Sequence, residues 1–303
     1  MRLTPLLPVL ALAFNALVWG TSWWPFRQIE ARGLHPLWTT LFVYALSVLV
    51  IVALRPASIQ QLLRTPALWV LLVAAGTTNA AFNWAVVIGD VVRVVLLFYL
   101  MPLWAVLLAR LLLNERLTRV AAARAVLALA GAGVVLWPEA AVGLAPAASG
   151  WGWPWPYTLA DWLGVLGGFA FALNNVMLRR ISHQPAEGRA LAMFMGGALV
   201  SGVLGALLAQ QGLIAWPAGL DGSLVPWTLG LAGLFLLGNL ALQYGAARLP
   251  ANVTAVVMLT EVIFASASAL AWGGGTLTWK LVLGGAMIVL AALLSTLEPA
   301  ASS

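Results

Sequence analysis

Long apolar stretches separated by short polar segments run the length of this 303-residue chain. Crossing the hydrocarbon core of a membrane takes about 20 apolar residues in a helix. Ten stretches approach that length, so the pattern predicts an all-α integral membrane protein with ten transmembrane helices. The predicted spans are Pro8–Trp24, Pro36–Leu54, Ala67–Ile88, Val94–Leu113, Val120–Trp137, Leu159–Leu178, Ala190–Gln210, Trp227–Arg248, Ala251–Trp272 and Leu281–Leu297.

Polar positions inside these spans recur 160 residues later in the chain. Asn79 and Asn83 in the third span are matched by Asn239 and Gln243 in the eighth. Each half then holds five spans, an odd number, so the second copy must enter the membrane from the opposite side. This pattern predicts two inverted five-helix repeats around a central cavity. The predicted domains are the first repeat at 1–137, a linker at 138–158 and the second repeat at 159–303.

Basic residues fall mainly on one side of this arrangement. If the N-terminus is cytoplasmic, eleven of the 15 Lys and Arg residues lie in cytoplasmic segments and four in outer segments. Cytoplasmic loops of membrane proteins carry such an excess of positive charge. We therefore expect both termini to be cytoplasmic and the linker to be periplasmic. The first apolar run lacks a signal-peptide cleavage pattern, so we expect it to be retained as the first span.

The composition excludes several other classes of protein and of site. Hydrophobic residues make up 63% of the chain and charged residues 8%, against about 25% charged residues in soluble domains. Cysteine is absent, and the two histidines, His35 and His183, lie in predicted loops. We therefore expect no disulfide, no metal site and no cofactor. The net charge of +6 comes from scattered basic residues, which argues against nucleic acid as a partner.

The candidate binding groups are side-chain amides inside the spans. An amide that faces lipid costs several kcal/mol, so such groups face protein or a water-filled cavity. Asn79 and Asn83 lie four residues apart on one helix face, and the matched pair in the eighth span does the same. The two stripes can face each other across the repeat axis, although helix-to-helix hydrogen bonds of about 1 kcal/mol each are the alternative. The predicted substrate-binding residues are Asn79, Asn83, Trp84, Tyr99, Asn174, Asn239, Gln243 and Tyr244, with Asn15 as a further candidate.

Two other residues in the spans are candidates for a mechanistic role. Glu261 is the only acidic residue deep in a predicted span, and buried carboxylates in membranes mark ion or substrate pathways. It could couple protons or bind a substrate amine, or it could be a structural group bonded to neighbouring hydroxyls. Its counterpart in the first repeat is Met101, so it has no symmetric partner. Pro102 in the fourth span removes a backbone hydrogen bond and is the candidate hinge.

Several short motifs, in this order, resemble the EamA-type repeats of the drug/metabolite transporter superfamily. They are Trp19-Gly20-Thr21-Ser22, Pro102 followed by Leu113-Asn114-Glu115-Arg116-Leu117-Thr118, and Pro250-Ala251 with Leu259-Thr260-Glu261. The closest likeness is to the aromatic amino-acid exporter branch, which is also linked with paraquat efflux. The resemblance implies a bacterial inner-membrane exporter whose cavity is formed chiefly by the third, fourth, eighth and ninth spans. Val262 and Gly275 depart from the family pattern, in which a proline and a glutamate are usual at these positions.

These observations predict an exporter of aromatic and other neutral amino acids that works by alternating access as a monomer in the lipid bilayer. Export of other small metabolites or drugs is the alternative, and proton coupling and passive efflux both stay open. An intramembrane enzyme acting on lipid-linked substrates is the rival of another class. It would need converging acid/base or metal-binding groups, and only Glu261 is available. A structural or sensory protein would leave the matched amides unexplained.

Overall fold

The computed structural model describes residues 6–113, 119–137, 156–217, 222–246, 248, 257–258 and 260–295. All regular structure in these ranges is helical. In the first half the helices are α1 (Leu6–Thr21), α2 (Trp23–Glu30), α3 (Pro36–Leu54), α4 (Ala57–Arg64), α5 (Pro66–Ile88), α6 (Val91–Phe98), α7 (Met101–Leu113) and α8 (Arg119–Leu136). In the second half they are α9 (Leu159–Arg180), α10 (Ala186–Gln210), α11 (Leu224–Ala246), α12 (Thr260–Trp272) and α13 (Trp279–Ser295).

Seven helical stretches of the described chain are long and apolar enough to cross a membrane. Two of them combine neighbouring helices, since α1 and α2 form one stretch and α6 and α7 another. Shorter apolar helices occupy Ala125–Val135, Thr260–Trp272 and Trp279–Ala291, within the predicted fifth and ninth spans and across most of the tenth. The chain is therefore a multi-pass membrane protein. The count of ten spans stays a prediction, because part of the ninth lies outside the described residues.

The structure differs from the predicted elements at three places. The first span was predicted at Pro8–Trp24, but the helical stretch of α1 and α2 breaks at Ser22 and continues to Glu30. Helix α4 was not predicted, because it has only eight residues, far fewer than a span needs. It is amphipathic, with Leu62 buried and Leu63 exposed. The fourth span was predicted as one helix, but it breaks at Tyr99 and Leu100. Pro102 is the second residue of α7, a position where its missing N–H is tolerated, and it cannot continue α6 by bonding to the preceding turn.

The helices pack in a small number of close pairs. Helix α5 packs against both α9 and α10, and α1 packs against both α11 and α12. Further pairs are α3 with α10, α8 with α13, and α6 and α7 with α9. We call the end of the bundle at which α1 begins the near end, and the end at which α2 stops the far end. The outer surface carries many exposed large apolar side chains, as expected for a surface in contact with lipid.

Polar contacts join the two halves of the chain at the far end. Arg93 at the start of α6 forms a salt bridge of 2.6 Å with Asp161 of α9. The same guanidinium donates to the carbonyl oxygen of Val135 at 2.8 Å. Asp90, the N-cap of α6, accepts a hydrogen bond of 2.9 Å from the backbone N–H of Thr276. We call the residues Asp90, Arg93, Asp161 and Thr276 the far-end network.

The predicted linker lies largely outside the described residues. Only residues 156–158 of 138–158 are described. The division of the chain at 1–137, 138–158 and 159–303 therefore stays a prediction.

Candidate substrate cavity

A cavity of about 120 Å³ lies between α1, α3, α5, α6, α9, α10, α11 and α12. Its wall includes six residues whose side chains carry an amide, an aliphatic hydroxyl or a carboxylate: Asn15, Thr78, Asn79, Asn174, Asn239 and Glu261. Helices from both halves of the chain thus contribute polar groups to one space. The wall includes the third, fourth, eighth and ninth spans that the family resemblance implies, and also the first, second, sixth and seventh.

Helical periodicity explains how single helices reach the cavity with several residues. Helix α5 contributes Ala75, Thr78, Asn79 and Phe82, which follow the i, i+3, i+4, i+7 spacing of one helix face. Helix α11 presents a similar face. Its contribution is Phe235, Asn239 and Leu242.

Seven aromatic residues line the cavity, and their rings form a continuous chain of contacts that we call the aromatic wall. It consists of Trp19, Tyr44, Phe82, Phe98, Phe171, Phe194 and Phe235. Trp19 stacks on Phe235 with ring centroids 4.7 Å apart. Phe82 meets Phe98 edge to face at 4.9 Å, and Phe98 meets Phe171 at 5.3 Å. Such pairs stabilise one another and leave a mostly apolar surface for a bound solute.

Glu261 supplies the carboxylate of the cavity wall. Its Oε2 accepts a hydrogen bond of 3.2 Å from the hydroxyl of Tyr99. No Lys, Arg or His is among the described residues that line this cavity, and no cluster in the described chain could hold a metal ion. The carboxylate therefore faces the cavity with a hydroxyl donor and without a basic residue on the wall.

Close packing of α1 against α12 brings Glu261 to this position. A Cβ atom at Gly20 would lie only 2.8 Å from the carbonyl oxygen of Glu261, so a larger residue would force the helices apart. The crossing is also held by hydrogen bonds. The Ser268 hydroxyl donates to the Gly20 carbonyl at 3.2 Å and accepts from the Trp23 indole at 2.9 Å. Gly20 of the first-span motif therefore allows the close crossing of α1 and α12.

The amides of the wall differ in how their hydrogen-bonding groups are satisfied. Asn79 accepts from the Tyr44 hydroxyl at 2.6 Å and donates to the Ala75 carbonyl at 2.8 Å. In contrast, both polar atoms of the Asn15 side chain and Oδ1 of Asn174 have no partner among the described residues, although both side chains are buried. An unsatisfied buried polar group costs about 1–3 kcal/mol. Both residues line the cavity, so these atoms are candidates to bond to a polar solute.

The structure brings some of the predicted site residues together and separates others. Asn79, Asn174, Asn239 and Glu261 lie on the cavity wall. Asn83 does not, and its side chain donates to the Thr40 hydroxyl at 3.2 Å. Both amides face α3, since Asn79 bonds to Tyr44 and Asn83 to Thr40 of that helix. Of the two, Asn79 lines the cavity and Asn83 does not.

The predicted aromatic residues lie behind or beyond the cavity wall. Trp84 meets His35 edge to face at 5.2 Å, at the far end. Tyr99 is buried behind Glu261, to which it donates. Tyr244 lies 3.9 Å from the guanidinium carbon of Arg248, toward the near end. The side chain of Gln243 lies outside what the structure describes, and so does that of Pro102.

Sequence reasoning missed the aromatic wall, although the sequence contains a signal for it. Each wall asparagine has an aromatic residue one turn away on the same helix. The pairs are Asn15 with Trp19, Asn79 with Phe82, Asn174 with Phe171, and Asn239 with Phe235. Spacings of three or four residues place both members on one face. A search for amides paired with aromatics at this spacing would have found most of the wall.

Comparison with known proteins connects the first half of the chain to a transporter family. Residues 6–137 match the EamA-like transporter family. The match covers somewhat less than half of the chain and shows what this part of the sequence is similar to. The matched region ends at Trp137, which is also the last residue of the predicted first repeat.

One solved structure shares the fold over nearly the whole length. It is described only as a crystal structure of a protein. It is 20% identical, with a TM-score of 0.59, and the alignment covers 96% of each chain. At this identity the likeness concerns the fold alone. The comparison with curated proteins found no match.

Proposed function

We propose that this chain is an exporter of small solutes that carry an amino group and an apolar body, and that it works by alternating access. Neutral amino acids, the aromatic ones included, are the first class of candidates. The observation that carries the proposal is the cavity between the two halves, with unpaired amides, one carboxylate and an aromatic wall. Cavities of this kind near the midplane are typical of carriers built from repeats.

The pattern of helix packing supports the proposed inverted repeat. The correspondence of the two halves matches α1 with α9, α3 with α10, α5 with α11, α6 and α7 with α12, and α8 with α13. With this correspondence, the packing of α5 on α9 is equivalent to the packing of α11 on α1. In the same way, the packing of α6 and α7 on α9 is equivalent to the packing of α12 on α1. The α3–α10 and α8–α13 pairs correspond to themselves. A pseudo-two-fold axis accounts for all of these pairs.

The far-end network supports the access cycle that we propose. Arg93 and Asp161 come from different halves of the chain, as do Asp90 and Thr276. Opening the far end requires these bonds to break as the halves move apart. We propose that the described conformation is the one closed at the far end. With the N-terminus cytoplasmic, this end faces the periplasm, and its opening releases the solute outward.

The contents of the cavity limit the solute. A volume of about 120 Å³ is below the roughly 300–1,000 Å³ of pockets for drug-sized molecules. The unpaired Asn15 and Asn174 atoms can bond to amino or carboxyl groups, and Glu261 can bind an ammonium group. Small amines without a carboxylate are the second class of candidates. The absence of Lys, Arg and His from the described wall favours them.

Counterflow in liposomes tests the proposed function. Purified protein is reconstituted into vesicles preloaded with one unlabelled solute, and uptake of the same labelled solute is followed against protein-free vesicles. Neutral amino acids and their decarboxylated amines form the panel. We expect transient accumulation of at least one of them, because a carrier exchanges solute without chemical change. Conversion of the solute would indicate an enzyme, and absence of exchange across the panel would contradict the proposed function.

A further inference from the structure

We infer that the cavity selects cationic amines over zwitterionic amino acids, with Glu261 and the aromatic wall recognising the ammonium group. This inference rests on the proposed transport function and narrows its substrate class. It separates the two solute classes that the transport proposal leaves open.

The charge of the cavity is the first argument. Glu261 is the only acidic residue among the described residues of the wall, and no basic residue accompanies it there. Residues 249–256 and 259, which adjoin the described part of this span in the sequence, contain no Lys, Arg or His either. A carboxylate in a membrane interior needs a counter-charge or a proton. A bound ammonium group supplies the counter-charge that the protein lacks at this place.

The aromatic wall is the second argument. Cations bind favourably over the faces of Trp, Tyr and Phe rings. The wall reaches the carboxylate from one side, because Phe98 contacts Tyr99 at 6.2 Å and the Tyr99 hydroxyl donates to Glu261. Trp19 lines the same cavity as Glu261. An ammonium group bound in this cavity therefore shares it with aromatic rings as well as with the carboxylate.

The geometry of an α-amino acid is the third argument. Only one carbon separates its amino nitrogen from its carboxylate carbon. If the ammonium group binds Glu261, the substrate carboxylate must lie close to the Glu261 carboxylate. Two carboxylates that share a site repel each other, and the described wall offers only neutral amides to offset this. The cavity therefore penalises the zwitterion and accepts the same molecule without its negative charge.

Three ligands with the same phenyl ring test the inference. Phenylalanine is the zwitterion, phenethylamine lacks the carboxylate, and phenylalaninamide keeps the bulk of the carboxyl group without its charge. Binding to the purified protein is measured by calorimetry, and exchange is measured by counterflow with protein-free vesicles as the blank. We expect phenethylamine and phenylalaninamide to bind at least tenfold more tightly than phenylalanine, with the same order in exchange.

Variants then test the role of the carboxylate. Glu261→Gln should lower the affinity for both cations at least tenfold and leave that for phenylalanine equal or higher. Glu261→Asp should retain the preference for the two cations over phenylalanine. Glu187→Gln, the same change outside the cavity, is the control. It should leave the ratio of cation affinity to phenylalanine affinity as in the parent protein.

The possible outcomes separate this inference from the transport proposal. Phenylalanine binding as tightly as the cations in the parent protein would overturn the inference, and this result needs no variant to fold. If phenylalanine is then also exchanged, the transport proposal stands. A cation preference that persists in folded Glu261→Gln would likewise overturn the assignment to Glu261. Failure of all three ligands to bind would overturn the inference, whereas the transport proposal falls only if the whole solute panel fails to exchange.

Discussion

At the scale of single residues, the unpaired amides are the most informative groups in the molecule. Asn15 is 1% exposed, and neither atom of its amide has a partner in the described chain. Gly238 of α11 leaves it room, since a Cβ there would lie 3.3 Å from Asn15 Nδ2. A purely structural amide would be expected to satisfy its hydrogen bonds within the protein. This residue therefore lowers stability in a way that solute binding can offset.

Asn15→Leu should weaken transport without lowering stability. Leucine has a similar size and removes the unsatisfied atoms, so the melting temperature in detergent should be unchanged or higher. Loss of the hydrogen bond to solute should cost about 1–3 kcal/mol, or roughly five- to 150-fold in affinity. Binding and exchange of the best panel solute measure this effect.

Asn83→Leu is the matched comparison, because it removes a buried amide that bonds to Thr40 instead of lining the cavity. Asn83→Leu should reduce the affinity for the solute by less than Asn15→Leu does, and it should lower the melting temperature. Equal losses of affinity in the two variants would contradict the assignment of Asn15 to the binding site.

At the scale of elements, the break between α6 and α7 is the feature with the clearest mechanical meaning. It lies at Tyr99 and Leu100, immediately beyond the wall residue Phe98. Irregular backbone at membrane depth is tolerated where it lines a cavity. We propose that the fourth span bends at this break during the access cycle, as predicted for Pro102.

The start of α3 is a second element with a testable property. His35 is its N-cap, and Nδ1 accepts a hydrogen bond of 3.3 Å from the backbone N–H of Leu37. Burial lowers the pKa of His35 to about 4, because the charged ring is poorly solvated there. Protonation would also remove the acceptor from the helix N-terminus.

Stability should therefore fall in acid through His35. The folded pKa is below the ordinary value of 6.5, so the unfolded chain binds more protons between about pH 6.5 and pH 4. The contribution is full above pH 6.5 and declines as the pH falls toward 4. His35→Asn keeps a capping acceptor that does not titrate. The melting temperature of the parent should drop more than that of His35→Asn over this range, and parallel curves would contradict the assignment.

At the scale of the whole molecule, closure of the far end connects the fold to the proposed transport cycle. The far-end network joins the two halves by a salt bridge and by a carboxylate-to-backbone bond. Removing one partner of a buried ion pair is strongly destabilising. When the far end opens in the transport cycle, the charged groups of the far-end network must therefore bond to new partners or to water.

A crosslink across the far end should stop transport. The chain has no cysteine, so introduced thiols have no background. A Cβ at Gly275 would lie 3.0 Å from Asp90 Cγ, close enough for an Asp90→Cys/Gly275→Cys disulfide. Oxidation should reduce counterflow to the level of protein-free vesicles, and reduction should restore it. Asp90→Cys alone should not respond to oxidant. Full exchange by protein shown to be crosslinked would mean that this end need not open.

The orientation in the membrane also awaits measurement. The eleven-to-four distribution of basic residues predicts a cytoplasmic C-terminus and a periplasmic linker. Fusion of a phosphatase that is active only in the periplasm should give activity at Ser149 and none at Ser303. Activity at Ser303 would reverse the predicted side of the C-terminus and would contradict the predicted topology.

The sequence by itself determined the membrane class and the positions of most helices, because both depend on local properties. Apolar length predicted the bounds of α3, Pro36–Leu54, and Pro102 predicted a bend in the fourth span, although not its division into two helices. Polar side chains in apolar stretches identified Asn79, Asn239 and Glu261 as candidates for the same reason: a buried polar group is costly wherever it occurs.

Only the tertiary structure decided which of these groups share a space. Asn79 and Asn83 both bond to α3, and only the packing of the helices decides that Asn79 lines the cavity and Asn83 does not. The aromatic wall joins residues far apart in sequence, such as Trp19 and Phe235. The sequence does not distinguish a phenylalanine that contacts lipid from one that contacts another helix or lines a cavity. The partner of Glu261 is Tyr99, 162 positions away. Such contacts depend on how helices cross, and helix crossing is set by packing that no single segment contains.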